Sequence, residues 1–252
     1  MPVPTVAGQQ LTARRLAGRA WRAVEAQHRV STAKLTDNLA EQERLEALIE
    51  AAKPKVPPEC RHLHYLLSTP FRYGAPYPVG SRFRRAGLTA GVFYASKEPV
   101  TAMTEMAFWR LLFFAESPAT PYPENPGEFT AFAAEFATRR ALDLTRAPFV
   151  AQREAWRHPV NYAPCQDLAE EARDAGIEVI AYESARAAGA LNYALLSCAV
   201  FNKRVEVARQ TWRIHFSAAG VRLFCEMPRQ SVDLPAATFA ADPRIAKMKW
   251  ER

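Results

Sequence analysis

The stretch from Ser81 to Arg110, SRFRRAGLTAGVFYASKEPVTAMTEMAFWR, constrains this chain most, because two periodicities follow each other directly. Gly91 to Ala95 is a short apolar run of strand type. From Val100 onward, Met103, Met106, Ala107, Leu111 and Phe114 recur at helical spacing, the pattern of a face packed on a core. Ser96 is the expected N-cap, Pro99 suits the first helical turn, and Glu98 would sit at the positive end of the helix dipole. An arginine-rich loop precedes the strand. A strand with a helix folded back on it would carry three polar groups to one cleft: Arg82 from the loop, Tyr94 from the strand and Glu105 from inside the helix. Taken singly, the three read better as an exposed arginine, a half-buried tyrosine and a solvated glutamate.

Read together, they resemble a known family. Gly80-Ser-Arg-Phe, Val92-Phe-Tyr-Ala-Ser96 and Ala102-Met-Thr-Glu-Met106 are similar to the Gly-Gly-Arg-Trp-Asn loop, the Leu-Tyr-x-Ser strand and the Ala-x-x-Glu helix of the RES domain. A later segment, from Gly176-Ile through Tyr182 and Ser184 to Arg186, resembles that family's Gly-Ile-x-Tyr-x-Ser-x-Arg element and supplies its serine as Ser184. Phe71-Arg72 resembles an early Phe-Arg pair. The resemblance spans about residues 63 to 202. Ser81 stands in place of the second loop glycine and Arg84 in place of the asparagine.

This resemblance implies an α+β fold like that of ADP-ribosyltransferases, with a mixed or antiparallel β core and flanking helices. It implies NAD as substrate, cleaved at the nicotinamide–ribose bond by phosphorolysis or hydrolysis, with inorganic phosphate as co-substrate in the first case and no resident cofactor. It also implies a toxin neutralised by an Xre-type antitoxin, to which DNA contact would belong. Arg82, Tyr94, Glu105 and Ser184 are the catalytic residues implied, and Arg72, Arg82, Tyr94 and Ser184 the NAD-binding ones. An enzyme transferring ADP-ribose to a protein would use the same residues. A non-catalytic interaction module is the third reading.

The residue types suit the chemistry. Cleaving an N-glycosidic bond develops oxocarbenium charge on the ribose, which a fixed carboxylate such as Glu105 stabilises. Nicotinamide leaves as a neutral ring, so no strong acid is needed. Arginines such as Arg82 and Arg72 grip a pyrophosphate or phosphate in bidentate fashion. Tyr94 can stack on the nicotinamide or pin its ribose, and Ser184 can donate to or accept from the ribose or the glutamate. No His–Asp pair is signalled beside Ser184, so it is not read as a nucleophile.

With 252 residues, 49% of them hydrophobic, the chain can bury one substantial domain with additions, or two small ones. No apolar run approaches the ~18 residues of a membrane span, and the N-terminus lacks the apolar stretch of a signal peptide, so a cytoplasmic protein is expected. The net charge of +7 favours anionic ligands in general, but no nucleic-acid motif accompanies it. The scattered Cys60, Cys165, Cys198 and Cys225 form no Cys-x-x-Cys pair and are expected to be reduced and partly buried. His62 and His64 have no third ligand nearby, so no metal site is expected. Nor is there a Gly-x-Gly-x-x-Gly or Walker loop.

The chain divides into a helical extension with a proline-rich linker, 1–58, and a main domain, 59–252. In the extension, Leu11, Leu16, Ala20, Val24, Leu35, Leu39, Leu45, Leu48 and Ile49 trace an apolar stripe over residues 9 to 52, and Ser31 and Thr32 are candidate caps of a second helix. That stripe calls for an apolar partner, either the main domain or a second subunit in a homo-oligomer. His62 to Leu67 reads as a strand, Glu128 to Phe136 as another, followed by a separate one at Ala141 to Leu144. Residues 146 to 163 read as a loop whose Trp156, His158, Asn161 and Tyr162 could wall a pocket. Pro164 opens a helix that Gly176 stops, and strands are expected at Ile177–Tyr182 and Ala194–Phe201. A hairpin spans Gln210–Ser217 and Val221–Glu226, turning at Gly220. The tail from Pro228 is low in pattern.

Overall fold

The computed structural model describes residues 5–6, 9–26, 32, 35–72, 80–87 and 89–251. Its strands are β1 (Thr5–Val6), β2 (Gln9–Gln10), β3 (Arg14–Glu25), β4 (Phe93–Ser96), β5 (Gly127–Asp143), β6 (Val179–Glu183), β7 (Leu191–Leu195), β8 (Ala208–Ser217), β9 (Gly220–Cys225) and β10 (Gln230–Pro235). Its α-helices are α1 (Leu39–Ala52), α2 (Tyr65–Arg72), α3 (Pro99–Glu116), α4 (Arg153–Arg157), α5 (Ala163–Asp174) and α6 (Pro243–Ala246). The α+β class expected from the sequence is the one observed.

β1 and β2 form a small ribbon, and the other strands make one eight-stranded sheet in the order β10-β9-β8-β5-β3-β4-β7-β6. β5 is long enough to serve three neighbours. Its first half pairs antiparallel with β8, nearly its whole length pairs with β3, and Ala141 to Asp143 run parallel to β6. Because β5 meets both β3 and β6, the five strands β5-β3-β4-β7-β6 return on themselves. The ring is joined unevenly: β4 and β7 share four register pairs, whereas β3 and β4 meet at one, Trp21 with Ser96. Next to that pair the Arg22 guanidinium donates to the Tyr94 carbonyl at 2.8 Å, occupying an oxygen the strand ladder leaves over.

Alternation along the ring strands sorts side chains to two faces. Ala20, Phe93, Ala95, Phe132, Phe136, Val179, Ala181, Tyr193 and Leu195 point to one side and form a cluster that α2 completes with Leu66, Leu67 and Phe71. On the other side, Ala23, Phe129 and Ala131, with Trp212 and Ile214 of β8, pack against Met103, Ala107 and Leu111 of α3. Leu142, Ile180 and Ala194 pack against Cys165, Leu168 and Ala172 of α5. The inward parity of β5 changes between Phe136 and Ala141, across a register shift opposite Arg14 and Leu16. A sequence that looks like two strands is therefore one bent strand. At the bend, Thr138 Oγ1 accepts from the Arg140 N–H at 2.8 Å.

The sequence expectation fails most clearly at the N-terminus. Residues 14 to 25 are not helical and not an extension: they are β3, in the middle of the sheet. Leu16, Ala20 and Val24 are four apart, a spacing shared by a helix face and by alternate positions of a strand, and the sheet takes the second option. Among the described residues of that region, 39–52 are the α-helical ones. α1 begins at the Asn38 cap, whose side chain accepts from Glu41 N–H, and not at Thr32; Ser31 lies outside the described residues. α1 buries none of its residues and leaves Leu39 and Leu48 exposed.

Residues 65–72 are helix rather than strand, since Leu63, Leu66, Leu67 and Phe71 are buried at helical spacing. The second expected strand of the Ala194–Phe201 segment is shorter and earlier, at β7, and a 3-10 turn follows at Cys198–Val200. The tail is ordered as β10 and α6. Gly176, at φ 67°, ends α5 as expected, and Gly220 turns the β8–β9 hairpin. All four cysteines are free and buried.

Gly91 marks a close approach between α2 and the segment entering β4. A Cβ there would meet the Pro70 carbonyl and lie 2.7 Å from Phe71 Cα. Gly91→Ala is expected to cost about 1–3 kcal/mol through this overpacking, lowering the melting temperature by roughly 2–4 °C per kcal/mol. Thermal denaturation checks it, and an unchanged melting temperature would mean that α2 does not seat there.

Candidate active site

The strand alternation that fills the ring also turns a second set of side chains outward. Tyr94 and Ser96 of β4, Asn192 of β7 and Tyr182 of β6 all lie on the face covered by α3 and α5. Ser96 is in register with Asn192, and Asn192 with Tyr182, so these three form one row across three strands. Ser184 follows β6 directly.

α3 lays Glu105 onto this row. Its Oε1 accepts from Ser184 Oγ at 2.7 Å and from Asn192 Nδ2 at 2.7 Å. The Ser184 hydroxyl is in turn the acceptor for the backbone N–H groups of Arg186 (3.0 Å) and Ala187 (2.9 Å), which leaves its proton for the glutamate. Asn192 Oδ1 accepts from Ser96 Oγ at 2.7 Å. Ser184, Ser96 and Asn192 are all buried, and Glu105 is half-buried. Ser96 is thus not the N-cap of α3. Glu98 occupies that position without a side-chain capping bond, and Pro99 takes the first helical position as expected.

Arg82, Tyr94, Glu105 and Ser184 do converge. The Arg82 guanidinium is buried, stacked 4.8 Å from the Tyr162 ring centroid, and donates to the carbonyls of Trp156 and His158. Burial penalises its charge, but Cys165, Tyr182, Tyr162 and Glu105 around it offset this and hold its pKa above the usual value. The Tyr94 hydroxyl holds the loop that carries Arg82: it accepts from Phe83 N–H at 2.9 Å and shares a hydrogen bond with Ser81 Oγ at 2.8 Å. Burial pushes the Tyr94 and Tyr182 phenols up, Tyr182 strongly.

Arg72 is not brought to this cluster. It lies at the end of α2, donating to the Pro54 carbonyl at 2.8 Å and to the exposed Glu50 carboxylate. A short Phe-Arg match gave no way to tell which face of which element would carry it.

Several residues escape the sequence reading. Arg186 Nη2 lies 3.0 Å from Asp242 Oδ2, with both side chains almost wholly buried, and its guanidinium carbon is 3.6 Å from the Phe108 ring centroid. Burial lowers the Arg186 pKa. Arg244 grips the same carboxylate through Nε at 3.0 Å and Nη2 at 2.8 Å. Arg186 and Arg244 both donate to the Pro159 carbonyl. Three arginines from distant parts of the chain therefore hold the backbone of residues 156 to 159 over the site. A hollow of about 460 Å³, lined by Arg15, Thr138, Arg139 and Glu178 among others, lies elsewhere on the sheet and shares no residue with this cluster.

A mixed sheet and helices bring a helix-borne carboxylate together with buried donors and cations in one α+β domain. The RES domain model matches residues 56–217, and the chain belongs to the RES domain family. A chain of the crystal structure of the M. tuberculosis MbcT–MbcA toxin–antitoxin complex is similar over 91% of each chain, at 14% identity and a TM-score of 0.41. No curated protein matches. Among the described residues, no helix is long and apolar enough to cross a membrane.

Asp242 couples the C-terminal tail to the site, and its pH dependence follows from its surroundings. Burial alone would raise its pKa, but the hydrogen bonds from Arg244 and the charges of Arg186 and Arg244 hold it below the usual value. Its folded pKa lies below the unfolded one, about 3.9, so the stability it confers is complete above that pH and disappears as pH falls through the folded pKa. Asp242→Asn is expected to be less stable at neutral pH and to lose less further stability on acidification below about pH 4. Urea unfolding at a series of pH values measures both; parallel pH profiles for variant and wild type would contradict the assignment.

Proposed function

We propose that the protein cleaves the nicotinamide–ribose bond of NAD at Glu105, acting as a toxin that an Xre-type antitoxin neutralises. The observation that carries this reading is the state of Glu105: one carboxylate oxygen is held by two donors, while none of the described residues donates to the other, Oε2. An oxygen so placed can face a ribose. As the C1′–N bond breaks, its electron pair leaves with nicotinamide, and positive charge on the ribose grows against the fixed carboxylate. A phosphate oxygen, or water that gives up a proton to solvent, then forms the new bond at C1′.

Arg82 suits the substrate's pyrophosphate. To bind it, its N–H groups would exchange the Trp156 and His158 carbonyls for phosphate oxygens. The Tyr94 hydroxyl is committed to the Arg82 loop, so its part in binding falls to its ring and to keeping Arg82 in place. Ser184 acts on the glutamate, as a donor fixed by two backbone N–H groups. Arg72 has no part in this mechanism.

Purified protein incubated with NAD, with and without phosphate, is expected to release nicotinamide, and the sugar product distinguishes phosphorolysis from hydrolysis. Glu105→Gln keeps the side-chain shape and loses the charge, so single-turnover cleavage is expected to fall by ~10²–10³ while NAD affinity changes little. Arg82→Ala is expected to weaken NAD binding as well, because the pyrophosphate is charged before and after reaction. Near-normal cleavage by folded Glu105→Gln would remove the mechanism.

A further inference from the structure

Resting on the function proposed above, we infer that Asn192 is a positioning residue for that reaction: it fixes the rotation of the Glu105 carboxylate, and Ser96 completes the arrangement. The geometry has a defined direction. A carboxylate can only accept, so the Asn192 amide must turn its Nδ2 toward Glu105, where it lies 2.7 Å from Oε1. That leaves Oδ1 facing Ser96, whose hydroxyl must then donate, at 2.7 Å. The chain of donation runs from Ser96 to Asn192 to Glu105, and each bond polarises the next. Asn192 is 2% exposed and so is Ser96, so water does not stand in for either partner.

Ser184 and Asn192 reach Oε1 from different elements, the turn after β6 and strand β7. One donor would fix a point and leave the carboxylate free to turn about it. Two donors from separate directions fix its plane, and with it the place of Oε2. Since Oε2 is the oxygen that meets the ribose, a small rotation would misplace the charge in the transition state while hardly altering ground-state binding. Misplacement of a reacting group by about 1 Å typically costs ~10²-fold in rate. Both polar ends of the Asn192 side chain are taken, Nδ2 by Glu105 and Oδ1 by Ser96, so it works through the glutamate and not on the substrate.

The experiment compares single-turnover cleavage and NAD affinity for wild type, Asn192→Ala, Ser96→Ala, Glu105→Gln and the Glu105→Gln/Asn192→Ala double variant. Asn192→Ala is expected to slow cleavage by ~10²-fold with the NAD dissociation constant within about threefold. Ser96→Ala, a smaller change, is expected to slow it by roughly tenfold with affinity kept, and it carries the test if Asn192→Ala does not fold. In the double variant the loss is expected to equal that of Glu105→Gln alone, because a residue acting only through Glu105 has nothing left to position. A role in stability would instead multiply the two losses. Wild-type rates in folded Asn192→Ala or Ser96→Ala, or multiplied losses in the double variant, would overturn the inference and leave the proposed function standing. Wild-type protein that releases no nicotinamide would overturn both.

Discussion

A carboxylate set into a protein surface needs donors, and here the sheet register supplies them. Ser96, Asn192 and Tyr182 are cross-strand neighbours, so their relative positions are set by backbone hydrogen bonds and not by side-chain chance. A one-residue slip of β7 would send Asn192 into the ring interior and bring an apolar residue to Glu105. The apolar alternation that builds the core therefore also places the donors. Phe93, Ala95, Tyr193 and Leu195 could not fill the ring without Tyr94, Ser96, Asn192 and Ala194 facing α3 and α5.

The cations are placed differently. Arg82, Arg186 and Arg244 come from a loop, a turn and the C-terminal helix, and each is tied to backbone carbonyls of residues 156 to 159. Asp242 binds two of them and keeps their charges from facing each other uncompensated, which a buried cluster of like sign could not sustain. The tail that looks patternless in the sequence thus supplies both an anion and a cation to this part of the molecule.

The central unit was legible because its signals are local: the apolar run before Ser96, the helical spacing after Val100 and the αL glycine at Gly176 each need only a few neighbours. Arg82, Tyr94, Glu105 and Ser184 could be named from a resemblance, and they converge. Asn192 could not, since its importance comes from a register with Ser96 that joins residues 96 apart, and an asparagine before an apolar strand looks like a turn residue. Ser96 was misread for a related reason. A serine ahead of a proline-led helix fits a cap, and only the neighbouring strand shows its hydroxyl to be committed elsewhere. β3 was misread because residues four apart satisfy both periodicities, and only the pairing with β5 decides between them.

The single pair between β3 and β4 has a consequence for what counts as the domain. β3 lies before the matched residues 56–217, yet it is the stave that closes the ring. Cut at the matched boundary, the fold would be an open sheet, with β5 stripped of a partner along most of its length and β4 bare on one side. Such edges invite pairing with other chains. The seam itself runs through Ser96, the first donor in the relay to Glu105, so a shear between the N-terminal strand and β4 would be felt at the carboxylate two hydrogen bonds away.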